Sequence, residues 1–307
     1  MDFSDVSLVA LRVFREVAER GTFTAAASAL GYTQSAVSRQ IASLERAAGN
    51  QLLERRREGV VLTAAGQVVL RNAAVVLDQL DATARELAGL PIDGGTVRLG
   101  WFPSAGAVLL PRAISAVRRT HPAITVTTRE GSTPNLVRAL RAGTIDLALI
   151  ASAPPFRPPD AESPALKLET LAERTLRLAV PTGHPLAAHD SVDVADLRGQ
   201  RWIAGPASST ELWMGVWPGL DERPVIAHTV RDWLAKLHLV AAGAGLTTIS
   251  ASMATAVPPG VRVVTVRGGP QELRRTILAR LPGRPPEPTR VLATALRTAA
   301  LEVNPPS

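Results

Sequence analysis

The sequence predicts two unlike halves: an N-terminal helix-turn-helix unit with a β-hairpin and a long trailing helix, and a C-terminal α/β domain of two doubly wound layers. Three observations predict it. Residues 22–44, TFTAAASALGYTQSAVSRQIASL, carry two helical apolar stripes broken by a single glycine. Residues 69–87 repeat apolar side chains at alternating spacings of four and three. From Thr96 onward, short strand-like runs alternate with helical ones, as a sheet built through crossover helices requires.

Composition sets the outer limits. A chain of 307 residues suggests about two domains with ample core. The net charge of +7 comes from arginine, because Lys167 and Lys236 are the only lysines. Basicity does not locate a nucleic-acid site: residues 1–65 hold eight arginines against seven carboxylates. Any such site must come from placement. The absence of cysteine excludes disulfides, thiol catalysis and cysteine-based zinc sites. Asp2 and Asp5 stand where a secretory signal would be basic. The charge-free stretch 237–261 is broken by Gly243, Gly245, Pro258 and Pro259, so it does not read as a membrane span. A cytoplasmic protein with no membrane association is expected.

Taken in order, a first helix over about 7–20 places Leu11, Phe14 and Ala18 on one face, and Gly21 ends it. Thr22 caps a second helix whose Phe23, Ala26, Ala27 and Leu30 form one stripe. Gly31 turns the chain without a Cβ penalty, and Thr33 caps a third helix. There Val37, Ile41, Leu44 and Ala48 share one face, while Gln34, Ser35, Ser38, Arg39 and Ala42 share the other. A short polar face of this kind suits the major groove, where Gln reads adenine and Arg reads guanine or phosphate. By periodicity alone the pair fits a plain helical hairpin equally well. The next residues decide between them. Two short strands flank a glycine turn beside Arg55, Arg56 and Arg57, making a wing. Three arginines alone read as a solvated face, but beside a recognition helix they can grip phosphates.

The segments LRVFREVAERGTFTAAASAL and YTQSAVSRQIASLERAAGNQLLERRREGVVLTAAG resemble the LysR-type transcriptional regulators, bacterial winged helix-turn-helix proteins. The likeness is close over about the first sixty-five residues and looser in the layout beyond them; the family often has Phe where Leu53 stands. The resemblance implies binding of double-stranded promoter DNA, at a partly palindromic site, by a homodimer or homotetramer with a ligand-responsive C-terminal domain. It puts Gln34, Ser35, Ser38 and Arg39 at recognition-helix positions and Arg55 to Arg57 in the wing. Thr24 and Thr33 complete the expected DNA-contacting set.

Thr63 caps a long helix over about 64–90 that Pro91 stops. Val69, Ala73, Val76, Leu80, Thr83 and Leu87 form its coiled-coil seam, with Thr83 the weak position. A small winged domain cannot bury that stripe, so pairing with a second subunit is expected; the alternative is a helix lying along its own C-terminal domain. Pairing would set two recognition helices on one symmetric site.

Asp93 to Gly95 reads as a hinge. Strands are expected at 96–100, 124–129 and 146–150, loops at 103–106 and 131–134, and helices at 108–119 and 135–141. A second layer holds strands at 176–180, 201–204, 225–228 and 246–249. The strand at 261–266 returns to the first layer, which 273–281 and a helix at 289–303 complete. The expected units are a DNA-binding domain, 1–65, a linker helix, 66–92, and an effector domain, 93–303. The last divides into subdomain I, 93–168 with 263–303, and subdomain II, 169–262. Two layers joined by crossing strands resemble the family's effector domain and periplasmic binding proteins.

Ligands of such sheets sit beyond the strand carboxyl ends, near helix N-termini that offer donors to an anion. The candidates are Ser104, Ser132, Thr133, Ser208 to Thr210 and Thr247, of which Ser104, Ser132 and Thr133 fall where the resemblance places effector contacts. Each also fits an ordinary helix cap. Trp101, Phe102 and Trp202 either line the cleft or fill the core. A small, carboxylated effector is suggested, with no cofactor and no metal.

An enzyme reading finds little to stand on. No G-x-S-x-G elbow, Walker loop or G-x-G-x-x-G occurs, and His121, His184 and His189 look like loop histidines without a carboxylate-rich motif. The expectation is a ligand-responsive transcription factor. The competing class is a small-molecule-binding protein or enzyme on the same α/β domain, its N-terminal helices serving only assembly.

Overall fold

The computed structural model describes residues 3, 6–57, 59–87, 95–205, 213–268 and 273–303. Its N-terminal unit contains α1 (Leu8–Arg20), α2 (Phe23–Leu30), α3 (Gln34–Ala48), and the antiparallel hairpin of β1 (Leu53–Arg56) with β2 (Gly59–Leu62). Local chemistry sets every boundary. Ser7, Thr22 and Thr33 each accept a hydrogen bond from a backbone N–H three residues on. Gly21, Gly31 and Gly49 end the three helices in the left-handed conformation that glycine adopts without strain. Phe14, Val17, Ala26, Val37, Leu44 and Leu52 are fully buried in one cluster.

The long helix α4 (Ala64–Leu87) starts on the Thr63 hydroxyl, which accepts from the Gly66 N–H at 3.0 Å. A Cβ on Gly66 would lie 2.1 Å from the Leu52 carbonyl oxygen. Gly66→Ala is therefore expected to push α4 off the wing and cost about 2 kcal/mol, read as a lower thermal unfolding midpoint. Leu70, Ala73 and Leu77 of α4 join the N-terminal core.

The C-terminal domain follows with β3 (Thr96–Trp101), α5 (Pro103–Thr120), β4 (Thr125–Glu130), α6 (Thr133–Arg141), β5 (Leu147–Ser152) and β6 (Lys167–Pro181). Next come β7 (Ser191–Asp193), β8 (Arg201–Ala204), β9 (Val225–Thr229), α7 (Trp233–Ala241), β10 (Thr247–Ser250), β11 (Val261–Arg267), β12 (Leu273–Arg280) and α8 (Glu287–Val303). The main sheet runs β4-β3-β5-β12-β6-β11-β7, with β10 also on β6, while β8 and β9 pair in parallel.

Several expectations need correction. The loop foreseen at 103–106 and the second half of that at 131–134 give way to the first turns of α5 and α6, since Pro103 and Pro134 sit where a missing N–H costs nothing. β6 is one strand of 15 residues. Its first half pairs with β12 and its second with β10 and β11, so it belongs to both layers. β11 does not return to the first layer: it pairs with β6 and β7, and β12 makes the return. The layers therefore change over near Thr175/Leu176 and between β11 and β12, rather than at 168/169 and 262/263. Asp93 and Gly94, and the helix end at Leu90 and Pro91, lie outside the described residues.

The N-terminal unit rests against subdomain I of its own chain. Arg98 on β3 grips Asp146 at 2.8 and 3.2 Å and Asp78 of α4 at 3.0 and 3.1 Å. Burial works against the Arg98 charge, but hydrogen bonds and attraction from Asp146 and Asp78 outweigh it, holding the guanidinium pKa above its ordinary value. Glu19 of α1, nearly buried, pairs with Arg129 of β4. A Cβ on Gly143 would meet Ala74 at 2.6 Å, so α4 and the end of α6 are in close contact.

Candidate nucleic-acid interface and effector cavity

The two faces of α3 separate as its periodicity requires. Val37, Ile41, Leu44 and Ala48 are buried. Gln34, Ser35 and Arg39 are exposed, Ser38 is half-buried, and Thr24 and Thr33 are exposed beside them. Thr33 is also the cap of α3, with its hydroxyl 3.0 Å from that of Ser35.

The hairpin is held against this helix by a residue that sequence reasoning passed over. Glu45 on α3 accepts the backbone N–H groups of Leu52 at 2.8 Å and Leu53 at 3.2 Å, which fixes the start of β1. Its seven-residue separation from Leu52 gave no local signal. On the other strand, the Val60 N–H donates to the Gly21 carbonyl at 2.8 Å. A groove of about 520 Å³ results, walled by Ser38, Ala42 and Glu45 of α3 and by Leu53, Glu54 and Arg55 of β1. Ser38 and Ala42 on the polar face of α3 and Arg55 of the hairpin thus border the same groove.

The wing arginines lie mainly on the strand: Arg55 and Arg56 belong to β1, and Arg57 begins the turn. Arg55 stacks 5.3 Å above the Phe23 ring centroid, and Arg56 pairs with Glu54 at 3.4 Å. The Arg56–Glu54 pair is exposed and cheap to exchange for another partner.

Along α4 the expected seam is only partly free. Ala73 is 3 % exposed in the core of its own chain and is no seam residue, and Val69 packs half-buried against that core. Val76, Leu80 and Leu87 stay exposed, joined by Val68 and Val75, so the open apolar stripe is rotated toward Val68 and Val75. The rotation follows from Leu70 and Leu77 serving the winged unit.

Between the two subdomains lies a cavity of about 740 Å³. Subdomain I contributes Phe102, Ser104 and Val108 from the start of α5, with Thr276 of β12; subdomain II contributes Lys236 of α7, Thr248 of β10 and the 213–224 segment. Of the expected contacts, Ser104 reaches it. Ser132 and Thr133 lie outside its wall, and the Thr133 hydroxyl is held 3.2 Å from both the N and O of Ala151. Thr247 is fully buried and donates to the carbonyls of Ile203 at 2.8 Å and Gly215 at 3.2 Å, so its neighbour Thr248 faces the cavity instead. Trp202 is fully buried among Leu178, Leu197 and Leu246 and is a core residue, not a wall. Trp101 packs over Gly106, whereas Phe102 does line the cavity. Ser208 to Thr210 lie outside the described residues. No grouping of His, Asp and Glu among the described residues could hold a metal, and no described helix is long and apolar enough to cross a membrane.

Comparison with known proteins places both halves. Residues 8–67 match the bacterial regulatory helix-turn-helix protein, lysR family, and residues 93–301 match the LysR substrate binding domain. The chain is 31% identical over 303 residues to a probable hydrogen peroxide-inducible genes activator of Mycobacterium avium, covering 96% of this chain and 89% of that one. A full-length OxyR variant from Pseudomonas aeruginosa shares its fold, with TM-score 0.59 and 22% identity over 96% of this chain and 94% of that one. Full-length CbnR, solved with its target DNA, matches with TM-score 0.51 and 26% identity over 96% and 99%. Two family models in the family's order, on a winged helix followed by a two-layer α/β domain, leave one conclusion: this chain belongs to the LysR family of DNA-binding transcriptional regulators and is not an enzyme.

Proposed function

We propose that Gln34, Ser35, Ser38 and Arg39 enter the major groove of a promoter while Thr24, Thr33 and Arg55 to Arg57 hold the flanking phosphates. The observation that carries this reading is that Ser38 of the polar α3 face and Arg55 of the basic hairpin border one groove, with Gln34, Ser35 and Arg39 exposed on the same helix. The Val68, Val75, Val76, Leu80 and Leu87 stripe of α4 covers a second copy, bringing two recognition helices to a partly symmetric site. The small-molecule effector occupies the cavity between the subdomains. A change in their closure passes through the Arg98 and Arg129 ties to α4 and α1, altering the angle between paired winged units and the bend of the DNA. This requires the effector to bind one closure state more tightly than the other. The protein acts in the cytoplasm.

The relatives' peroxide-inducible genes do not carry a trigger over to this chain: without cysteine, no thiol here can be oxidised to a sulfenic acid or disulfide. A gel-shift titration with the promoter region beside the protein's own coding sequence tests the DNA reading. Retarded, saturable complexes at moderate salt are expected, and none at either low or moderate salt rejects it. Arg57→Ala is expected to weaken all DNA sequences alike and to lower the slope of log K against log salt by about 1. A changed sequence preference in that variant would instead place Arg57 at a base.

A further inference from the structure

The cavity lining combines two chemistries. Phe102, Trp213, Trp217 and Trp233 supply aromatic surface. Lys236, Arg174, Arg274 and Arg275 supply positive charge against one carboxylate among the described residues, Glu222. Arg275 is already engaged by Glu173 at 2.5 Å and by the Phe156 ring at 3.7 Å. Lys236 is not: among the described residues its ammonium has neither a hydrogen bond nor an ion pair. It projects from α7 over Gly215, where an added Cβ would stand 3.1 Å from Nζ, 2.8 Å from the Thr247 hydroxyl and 2.8 Å from the Ile203 carbonyl. Gly215, at φ +100, leaves that approach open. The Trp217 indole N–H likewise lacks an acceptor among the described residues.

From this arrangement we infer that the effector is an aromatic carboxylate, its anion held by Lys236 and its ring lying against the tryptophan side chains of the lining. The inference rests on the cavity being the effector site, and it moves the anion anchor from the helix N-termini of subdomain I to α7 of subdomain II. A half-buried ammonium without a counter-ion costs stability. Burial holds the Lys236 pKa below the ordinary lysine value. A depressed folded-state value means that the group's contribution to stability is complete above the ordinary lysine pKa and is lost as pH falls through the lowered one. In its ammonium form Lys236 is a charge without a counter-ion among the described residues, which an anion would neutralise. A cavity of about 740 Å³ has room for a ligand of one or two fused rings.

The test titrates naphthoate and its uncharged isostere naphthamide into the full-length protein by tryptophan fluorescence, with Lys236→Met and Lys236→Arg beside the parent. The parent is expected to bind the acid at least about tenfold more tightly than the amide, the energy of one modest charge pair. Lys236→Met is expected to erase that preference while raising the unfolding midpoint of the ligand-free protein, and Lys236→Arg to keep part of it. Acid and amide binding equally to the parent would overturn the anion assignment and leave the cavity as the effector site. Preference retained in Lys236→Met, or a lowered ligand-free midpoint in that variant, would show a lysine already paired within the protein and overturn its role. No saturable binding of either probe would overturn the aromatic class, and a response of DNA binding to some non-aromatic effector would then keep the cavity reading separate.

Discussion

Arg141→Ala is expected to lower the free energy of unfolding by about 3 to 5 kcal/mol, the usual cost of removing one partner from a buried ion pair. Arg141 ends α6 with 8% of its side chain exposed. Its Nε and Nη2 donate to the two Asp160 carboxylate oxygens at 2.8 and 2.9 Å, and Nη1 donates to the Pro164 carbonyl at 2.7 Å. One side chain thus fastens the proline-rich passage between β5 and β6 onto subdomain I. Without it a shielded carboxylate and a carbonyl lose their donors together. Arg141→Lys should recover little, because an ammonium cannot present the two-pronged fork that the carboxylate accepts. Chemical unfolding measures both variants, and a loss below about 1 kcal/mol would show that the passage is held by its own packing.

The deficit should also depend on pH, with a sign fixed by Glu162. Burial raises the Glu162 pKa above the ordinary carboxylate value, the nearby Arg141 charge opposes that rise, and Asp160 adds to it. A raised folded-state value contributes stability that is complete below the unfolded pKa and disappears as pH climbs through the folded one. Removing Arg141 takes away the opposing charge and pushes Glu162 higher still. The variant should therefore lie furthest below the parent at neutral pH and recover part of the gap as acidification neutralises its carboxylates.

Nothing in the sequence marked Arg141, and the reason is physical. Its partners follow 19 to 23 residues later, in a passage without periodicity, so a helix-terminal arginine reads as a solvated charge. The winged unit was legible because its determinants are local: Thr22 and Thr33 cap within three residues, and the stripes of α2 and α3 repeat every turn. β6 was half missed because Lys167 to Thr175 carries four charged side chains among few apolar ones and pairs with β12 roughly a hundred residues on. Trp202 and Thr247 were misplaced for a related reason. Trp202 lies within β8 and Thr247 begins β10, and neither a large ring nor a hydroxyl declares which side of a sheet it takes. Lys236 escaped notice at the edge of a charge-free stretch, since only the fold carries α7 to the cavity.

The double variant Gln34→Ala with Arg39→Ala is expected to lose about 4 kcal/mol of binding to the specific promoter site, close to a thousandfold, if each side chain makes one bidentate base contact. Both are exposed on α3, and neither is used inside the fold by any contact among the described residues. Val37, Ile41 and Leu44 anchor the helix from behind, so removing the two should leave the stability within about 0.5 kcal/mol of the parent. That separation makes the experiment decisive. Fluorescence anisotropy with the promoter fragment and a scrambled fragment of equal length would read specific and non-specific affinity side by side. A large loss on the promoter with a small one on the scrambled DNA assigns the pair to base edges. Equal losses on both would instead assign them to phosphates, since contacts to the backbone carry affinity without sequence. In that case discrimination would have to come from Ser35 and Ser38, or from the ease with which the promoter bends between two winged units.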